Sequence, residues 1–168
     1  MYKVSSSEVF DRSKYFLTDV NLLKELFSKR VIFVVDGVFD SMNLNRLGVP
    51  AISALGSYVS QSLLYFLRWF KFVYVVHDND PAGMALTKRL QRSLPSVFPV
   101  SQTLCKDIDE FIRTSKEHEE AAKQFFSNLV EHPVAAPQML TLPSKQVDEP
   151  KLAKVSFKPR SLTSKIER

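Results

Sequence analysis

Two kinds of apolar pattern alternate along this chain. Val31-Ile32-Phe33-Val34-Val35 and Phe72-Val73-Tyr74-Val75-Val76 are unbroken, β-branched and aromatic, and predict buried strands. Apolar residues at three- and four-residue spacing predict helices over Val20–Phe27, Phe39–Leu47, Ser60–Phe70, Pro81–Ser93, Asp107–Arg113 and Lys116–Glu131. Thr18 or Asp19 would cap the first of these, and Gly48 would stop the second. Val49–Leu55 predicts a further strand. So does Val97–Val100, which is expected at a sheet edge because Pro99 has no N–H to donate. The alternation predicts an α/β fold: a mostly parallel, four-stranded sheet with helices on both faces. Right-handed crossovers then gather the strand mouths on one edge. The pattern changes at Pro133, where Pro133, Pro137, Pro143, Pro150 and Pro159 break up a polar stretch. That stretch is expected to be disordered or to dock as an extended arm. The predicted division is a lead-in and helix over 1–30, a catalytic-type domain over 31–132 and a basic C-terminal tail over 133–168.

Carboxylates collect where the strands end. The first strand runs into Asp36-Gly37-Val38-Phe39-Asp40 and the third into His77-Asp78-Asn79-Asp80-Pro81-Ala82-Gly83, while Lys106-Asp107-Ile108-Asp109-Glu110 lies downstream. In extended backbone, residues i and i+2 face the same way, so Asp78 and Asp80 can converge on a hard cation. Asp36 or Asp40 would complete that site, and Asp107 would help to hold a second ion. Pro81 suits the first turn of a helix, and Gly83 permits close backbone approach. Other readings stay open at several positions. Asp36 reads also as a cap, Asp40 as a first-turn acid, and Asp107 with Glu110 as a capping arrangement. His77 reads as a packed residue. Gly56-Ser57 precedes a helix whose N–H groups suit a phosphate, and Lys106 would reach the same edge. Lys88, Arg89 and Arg92 share one helix, as a nucleic-acid path or as a solvated face.

In order and spacing, Asp36-Gly37-Val38-Phe39-Asp40, Ala54-Leu55-Gly56-Ser57, Asp78-Asn79-Asp80-Pro81-Ala82-Gly83 and Lys106-Asp107 resemble the motifs of the Toprim domain. The closest branch is the catalytic core of bacterial and phage DNA primases, and the resemblance spans Val31 to Ile112. It implies Mg²⁺-dependent nucleotidyl transfer, with Mn²⁺ as a substitute. The products would be RNA primers, made from nucleoside triphosphates on a single-stranded DNA template. Asp36, Asp40, Asp78 and Asp80 are then the catalytic candidates, with Asp36 at the family's general acid/base position. Asp36, Asp78, Asp80 and Asp107 are the metal candidates, and Gly37, Gly56, Ser57 and Lys106 the nucleotide- or phosphate-binding ones. The family normally has Glu where this chain has Asp36. The shorter side chain sets its carboxylate about 1.5 Å further back on the same backbone. A Toprim-type nuclease and a non-catalytic interaction module are the alternatives.

Composition narrows the picture further. A chain of 168 residues, 45% hydrophobic, fits one domain with a tail. The net charge is +5, and the segment from Pro133 holds seven Lys or Arg against three Asp or Glu. A basic tail of this kind suits nucleic acid through counterion release. The single cysteine, Cys105, excludes an intramolecular disulfide and a multi-cysteine zinc ribbon. Primases of this resemblance usually carry such a ribbon. The expectation is therefore a minimal or split primase subunit. Its partner would be a replicative helicase or template-binding protein, reached through the C-terminal tail. No apolar run approaches the ~18 residues of a membrane span, and the first residues lack a signal-peptide core. A cytoplasmic location, in a bacterial or phage-infected cell, is the matching expectation.

Overall fold

The computed structural model describes residue 24 and residues 27–55, 59–102 and 104–142. Along the chain run β1 (Val31–Val35), α1 (Val38–Arg46), β2 (Ala51–Ser53), α2 (Gln61–Leu67), β3 (Phe72–Val76), α3 (Pro81–Ser93), β4 (Val97–Gln102), α4 (Ile108–Thr114), α5 (Lys116–Glu131) and β5 (Gln138–Leu140). The strands form one sheet in the order β2-β1-β3-β4-β5, and every pairing is parallel. Strand alternation divides the apolar side chains between two faces. Val31, Phe33, Val35, Tyr74, Val76 and Val100 pack against α1, α4 and α5. Ile32, Val34, Val73 and Val75 pack against α2 and α3. Helices thus cover both faces, as the sequence pattern predicts. This double cover is why β1 reads as an unbroken apolar run. Of the helix predicted over Val20–Phe27, Lys24 and Phe27 are helical and the rest lies outside the described residues. Phe27 stacks on Phe70 and meets Phe66 edge-on.

The strand count corrects the sequence expectation: the sheet has five strands, not four. The fifth comes from the segment expected to begin the tail. The fully buried Tyr74 needs a partner for its hydroxyl and finds one there. It donates to the Val134 carbonyl (2.9 Å) and accepts from the Val134 amide (2.7 Å). Leu140 is also fully buried, in the core under α1, α4 and α5.

β4 is accordingly interior rather than an edge. The Val73 amide donates to Ser96 O and the His77 amide to Val100 O, so the even-numbered residues of β4 face β3. The missing donor of Pro99 therefore faces the β5 side. Pairing with β5 begins only at Val100, so the sheet loses no hydrogen bond there. At the other edge, Asn45 of α1 covers the outward backbone of β2. Its amide donates to Ala51 O (2.8 Å), and its carbonyl accepts from Ala51 N (3.2 Å). Gly48 ends α1 as predicted. It takes a left-handed φ of 78°, with Gly48 N on Asn45 O and Val49 N on Leu44 O.

Candidate metal centre

The chain runs from β1 outward to β2 and then returns to place β3 on the opposite side of β1. The order of winding reverses between β1 and β3, and ligands of open α/β sheets bind at such a reversal. Asp36 leaves the mouth of β1, and Asp78 and Asp80 leave the neighbouring mouth of β3. The loop from β4 into α4 brings Asp107 to the same edge. The carboxyl of half-buried Asp78 is pushed up to about 7, first by burial and then by Asp40, Asp36, Asp107 and Asp80, in that order. Five carboxylates contributed by three strand mouths thus share one electrostatic field.

Local backbone chemistry sets each of them. Asp80 caps α3 by accepting from Gly83 N (2.8 Å), with Pro81 at the start of the helix. A Cβ on Gly83 would stand 2.7 Å from both N and O of Asp78, so only glycine lets the first turn of α3 lie on the Asp78 backbone. Asp107 caps α4 by accepting from Glu110 N (2.7 Å), while Glu110 reaches back to Lys106 N (2.8 Å). This variant of the capping box was legible in the sequence as the Asp107–Glu110 spacing.

Asp40 is buried, and both its oxygens accept backbone amides. Oδ2 takes Gly37 N at the start of α1 (3.2 Å), and Oδ1 takes Asp109 N in the first turn of α4 (2.9 Å). Its carboxyl is raised, by burial first, and the Asp109 amide opposes that shift. Asp40 thus braces two helix ends against each other. Asn43 bonds the Asp109 carboxylate and strengthens the same joint. A Cβ on Gly37 would collide with Asp40 Oδ2, so the brace requires glycine here.

Two positioning residues escaped the sequence reading. Asn79 N donates to Lys106 O (2.9 Å) and its side chain to Cys105 O (2.7 Å), tying the β4–α4 loop to the mouth of β3. Buried Gln102 donates to Cys105 O (2.6 Å) and accepts from Cys105 N (2.8 Å), folding that loop back. A glutamine ending an otherwise apolar strand was the available signal for the second. Asn79, lying between two aspartates, gave none. Lys106 is exposed on this loop. His77 is half-buried with Nδ1 on Asp78 O (3.1 Å), in keeping with a packed residue.

At the mouth of β2, Ser53 donates to Asp36 O (2.8 Å) and accepts from Leu55 N (3.1 Å). Leu55 takes a left-handed φ of 52°, a conformation that costs a leucine energy. Gly56 and Ser57 lie outside the described residues. The helix after them starts under its own cap, with Ser60 Oγ accepting Leu63 N (3.1 Å). Lys88, Arg89 and Arg92 are exposed on α3, roughly 12–18 Å from Asp80 at 1.5 Å per residue. They are separate from the acidic mouth.

The donor set fits a hard divalent cation: it offers carboxylate oxygens only, and their mutual repulsion calls for positive charge. Among the described residues, no three His, Cys, Asp or Glu side chains are gathered closely enough to hold a metal ion. The carboxylates therefore share a field without converging on one point. That arrangement suits Mg²⁺, which usually keeps several waters and takes one or two carboxylates together with substrate phosphates. Among the described residues, no helix is long and apolar enough to cross a membrane.

Residues 33–112 match the family model described as Toprim-like. Toprim domains generally bind Mg²⁺ through acidic residues, and they occur in primases, nucleases and topoisomerases. The matched stretch contains Asp36, Asp40, Asp78, Asp80 and Asp107. No curated protein and no solved structure matches the chain.

Proposed function

We propose that the β1/β3 mouth is a divalent-metal site for phosphoryl or nucleotidyl transfer on nucleic acid, and that its finer activity is primase-type RNA primer synthesis. The observation that carries the metal reading is the Asp78 carboxyl at about 7, raised by burial and by four other carboxylates. A strand mouth that gathers so much negative charge is built to receive a cation. Mg²⁺ or Mn²⁺, when bound, neutralises phosphate charge and orients an in-line attack. We assign Asp78 and Asp36 as its principal ligands, with Asp80 and Asp107 beside them. Asp80 and Asp107 cap their helices through Oδ1, which leaves Oδ2 for the site. Asp36 would also take the proton from the attacking hydroxyl, and Lys106 would meet triphosphate oxygens. Asp40, Asn79 and Gln102 hold the three mouths in place.

The primer-synthesis reading is supported by Ala54-Leu55-Gly56-Ser57 and Asp78-Asn79-Asp80-Pro81-Ala82-Gly83, which resemble the primase branch. Its substrates would be nucleoside triphosphates and a single-stranded DNA template. We place engagement of a replicative helicase or template-binding protein on residues 143–168, where the chain is most basic. The second reading is a Toprim-type nuclease, because the same acidic constellation with its metal would activate water against a phosphodiester.

The test is incorporation of labelled ribonucleotides on single-stranded DNA with Mg²⁺ or Mn²⁺, run beside cleavage of labelled single-stranded and nicked DNA. Template-dependent incorporation that Asp78→Asn abolishes supports primer synthesis. Cleavage without incorporation replaces it with the nuclease. Metal binding with neither activity leaves an interaction module.

A further inference from the structure

The layer formed by α2 and α3 carries a surface that the acidic mouth does not use. Residues 41–77 and 81–106 contain no Asp or Glu, and these two stretches include α2, α3 and their approaches. Arg68, Lys88, Arg89 and Arg92 are all exposed there. On α2, Leu63 and Leu67 face inward, while Phe66, and Phe70 just beyond the helix, pack with Phe27. Tyr65 and Trp69 stand one turn apart and stay 62% and 67% exposed. The Arg68 guanidinium lies 5.1 Å from the centre of the Tyr65 ring. Between the helices runs a groove of about 380 Å³, lined by Gln61 and Leu64 of α2 and by Arg89, Arg92 and Ser93 of α3.

We propose that this face binds single-stranded nucleic acid, with bases stacked on Tyr65 and Trp69 and the sugar-phosphate backbone following the groove past Arg89 and Arg92. Charge selects the ligand class: within α2 and α3 and at Arg68 every charged side chain is a cation, which suits a polyanion. The two rings select the single strand. Only unpaired bases offer faces for an exposed ring to stack on, and such stacking tolerates any sequence. The ring–guanidinium pair of Tyr65 and Arg68 leaves a second π-face of the tyrosine for a base. Neither ring is needed by the core beneath, which Leu63, Leu67, Phe66 and Phe70 already fill. The proposal does not depend on the metal site, since all of these residues lie off the acidic mouth.

Trp69 is the only tryptophan in the chain, so its fluorescence reports on the face directly. The full chain is titrated with oligo(dT) in EDTA, and binding is measured in parallel by anisotropy of a labelled oligonucleotide. Quenching of Trp69 is expected. Trp69→Ala and Tyr65→Ala should each weaken binding about 10-fold, whereas Trp69→Phe should keep it within about 3-fold. Arg89→Ala with Arg92→Ala should lower the slope of log K against log salt by roughly 0.7 per arginine. Mn²⁺ binding by calorimetry should be unchanged in all four variants. Absence of quenching, or unchanged oligonucleotide affinity in both ring-to-alanine variants, would overturn the proposal. So would equal affinity for a duplex of the same length, or tighter binding to phosphatidylserine-containing vesicles than to oligo(dT). The metal reading fails separately, through unchanged Mn²⁺ affinity in Asp78→Asn.

Discussion

The two helical layers cover one sheet with opposite chemistry. In the layer of α1, α4 and α5, Asp109, Glu117, Glu119, Glu120 and Glu131 are interspersed with Arg46, Arg113, Lys116 and Lys123. One ion pair ties α1 to α5, Arg46 to Glu119 (2.8 Å), and another lies within α4, Arg113 to Asp109 (2.8 Å). α2, α3 and the turn after α2 carry exposed cations and rings, with no acid among their residues. Beneath both lies the same kind of aliphatic and aromatic core. Packing therefore does not explain the difference. Exposed ion pairs contribute only about 0–1 kcal/mol each, so stability does not demand it either. The contrast fits the two proposed roles: acids are gathered at the mouth and braced from the first layer, and α2 and α3, where a polyanion would lie, carry cations.

The hardest test of this division is removal of the acidic mouth. Asp78→Asn with Asp80→Asn should abolish Mn²⁺ binding. The fold should survive, because asparagine caps α3 as well as aspartate does. Stability without metal should rise, since clustered like charge is removed. Binding of oligo(dT) in EDTA should not fall. A drop in oligonucleotide affinity together with metal affinity, measured on the same preparation, would show that the two surfaces form one site.

The next largest effect concerns what closes the first layer. Truncation after His132 removes β5, the partner of the Tyr74 hydroxyl and the fully buried Leu140. Loss of a buried leucine alone costs about 2–5 kcal/mol. The melting temperature should fall sharply. Truncation after Leu142 should leave it nearly unchanged, because it spares β5. Equal melting curves for the two truncations would show that β5 adds nothing to the layer.

Asp40→Ala follows in size. It strips acceptors from the amides of Gly37 and Asp109, at roughly 1–3 kcal/mol for each amide left unsatisfied. Relief of the buried charge offsets part of this. Chemical denaturation should show a loss, and Mn²⁺ binding should weaken without vanishing. Complete loss of metal with unchanged stability would return Asp40 to the ligand set.

Much of this was legible in the residues, for identifiable reasons. The unbroken runs of β1 and β3 announced strands buried on both faces, and the aspartates after them marked the mouths. Asp-Pro at 80–81 and Gly83 foretold how α3 meets Asp78. β5 was not legible. Three residues, only one of them fully buried, give no periodicity, and the surrounding prolines read as a tail. What recruits it is a tertiary demand, the buried hydroxyl of Tyr74. The place of Pro99 was equally hidden, because a strand sequence does not say which of its sides is paired. The brace made by Asp40 depends on a contact 69 residues away. The outward places of Tyr65 and Trp69 depend on the helix, with Phe66 and Phe70 taking the inward ones.

The smallest effect is a slope. The Asp78 carboxyl titrates at about 7 in the folded chain against 3.8 for an ordinary aspartate, and that of Asp40 is raised as well. Between about pH 4 and 7 the folded protein thus binds more protons at these groups than the unfolded chain does. Stability must then fall as pH rises through that window. The contribution is full below pH 4 and gone above pH 7. Glu131 is shifted the other way by Lys29, but its effect belongs below its ordinary 4.5, outside the range that matters. In EDTA the melting temperature should therefore decline from pH 5 to pH 8, and Asp78→Asn should flatten most of the decline. Arg89→Ala with Arg92→Ala should leave it untouched, because these arginines lie roughly 13–18 Å along α3 from Asp80. Mn²⁺ should raise the melting temperature more at pH 8 than at pH 5, since a metal favours the ionised carboxylate. A decline that persists in full in Asp78→Asn would place the titrating group elsewhere and remove the main electrostatic argument for a cation at the β1/β3 mouth.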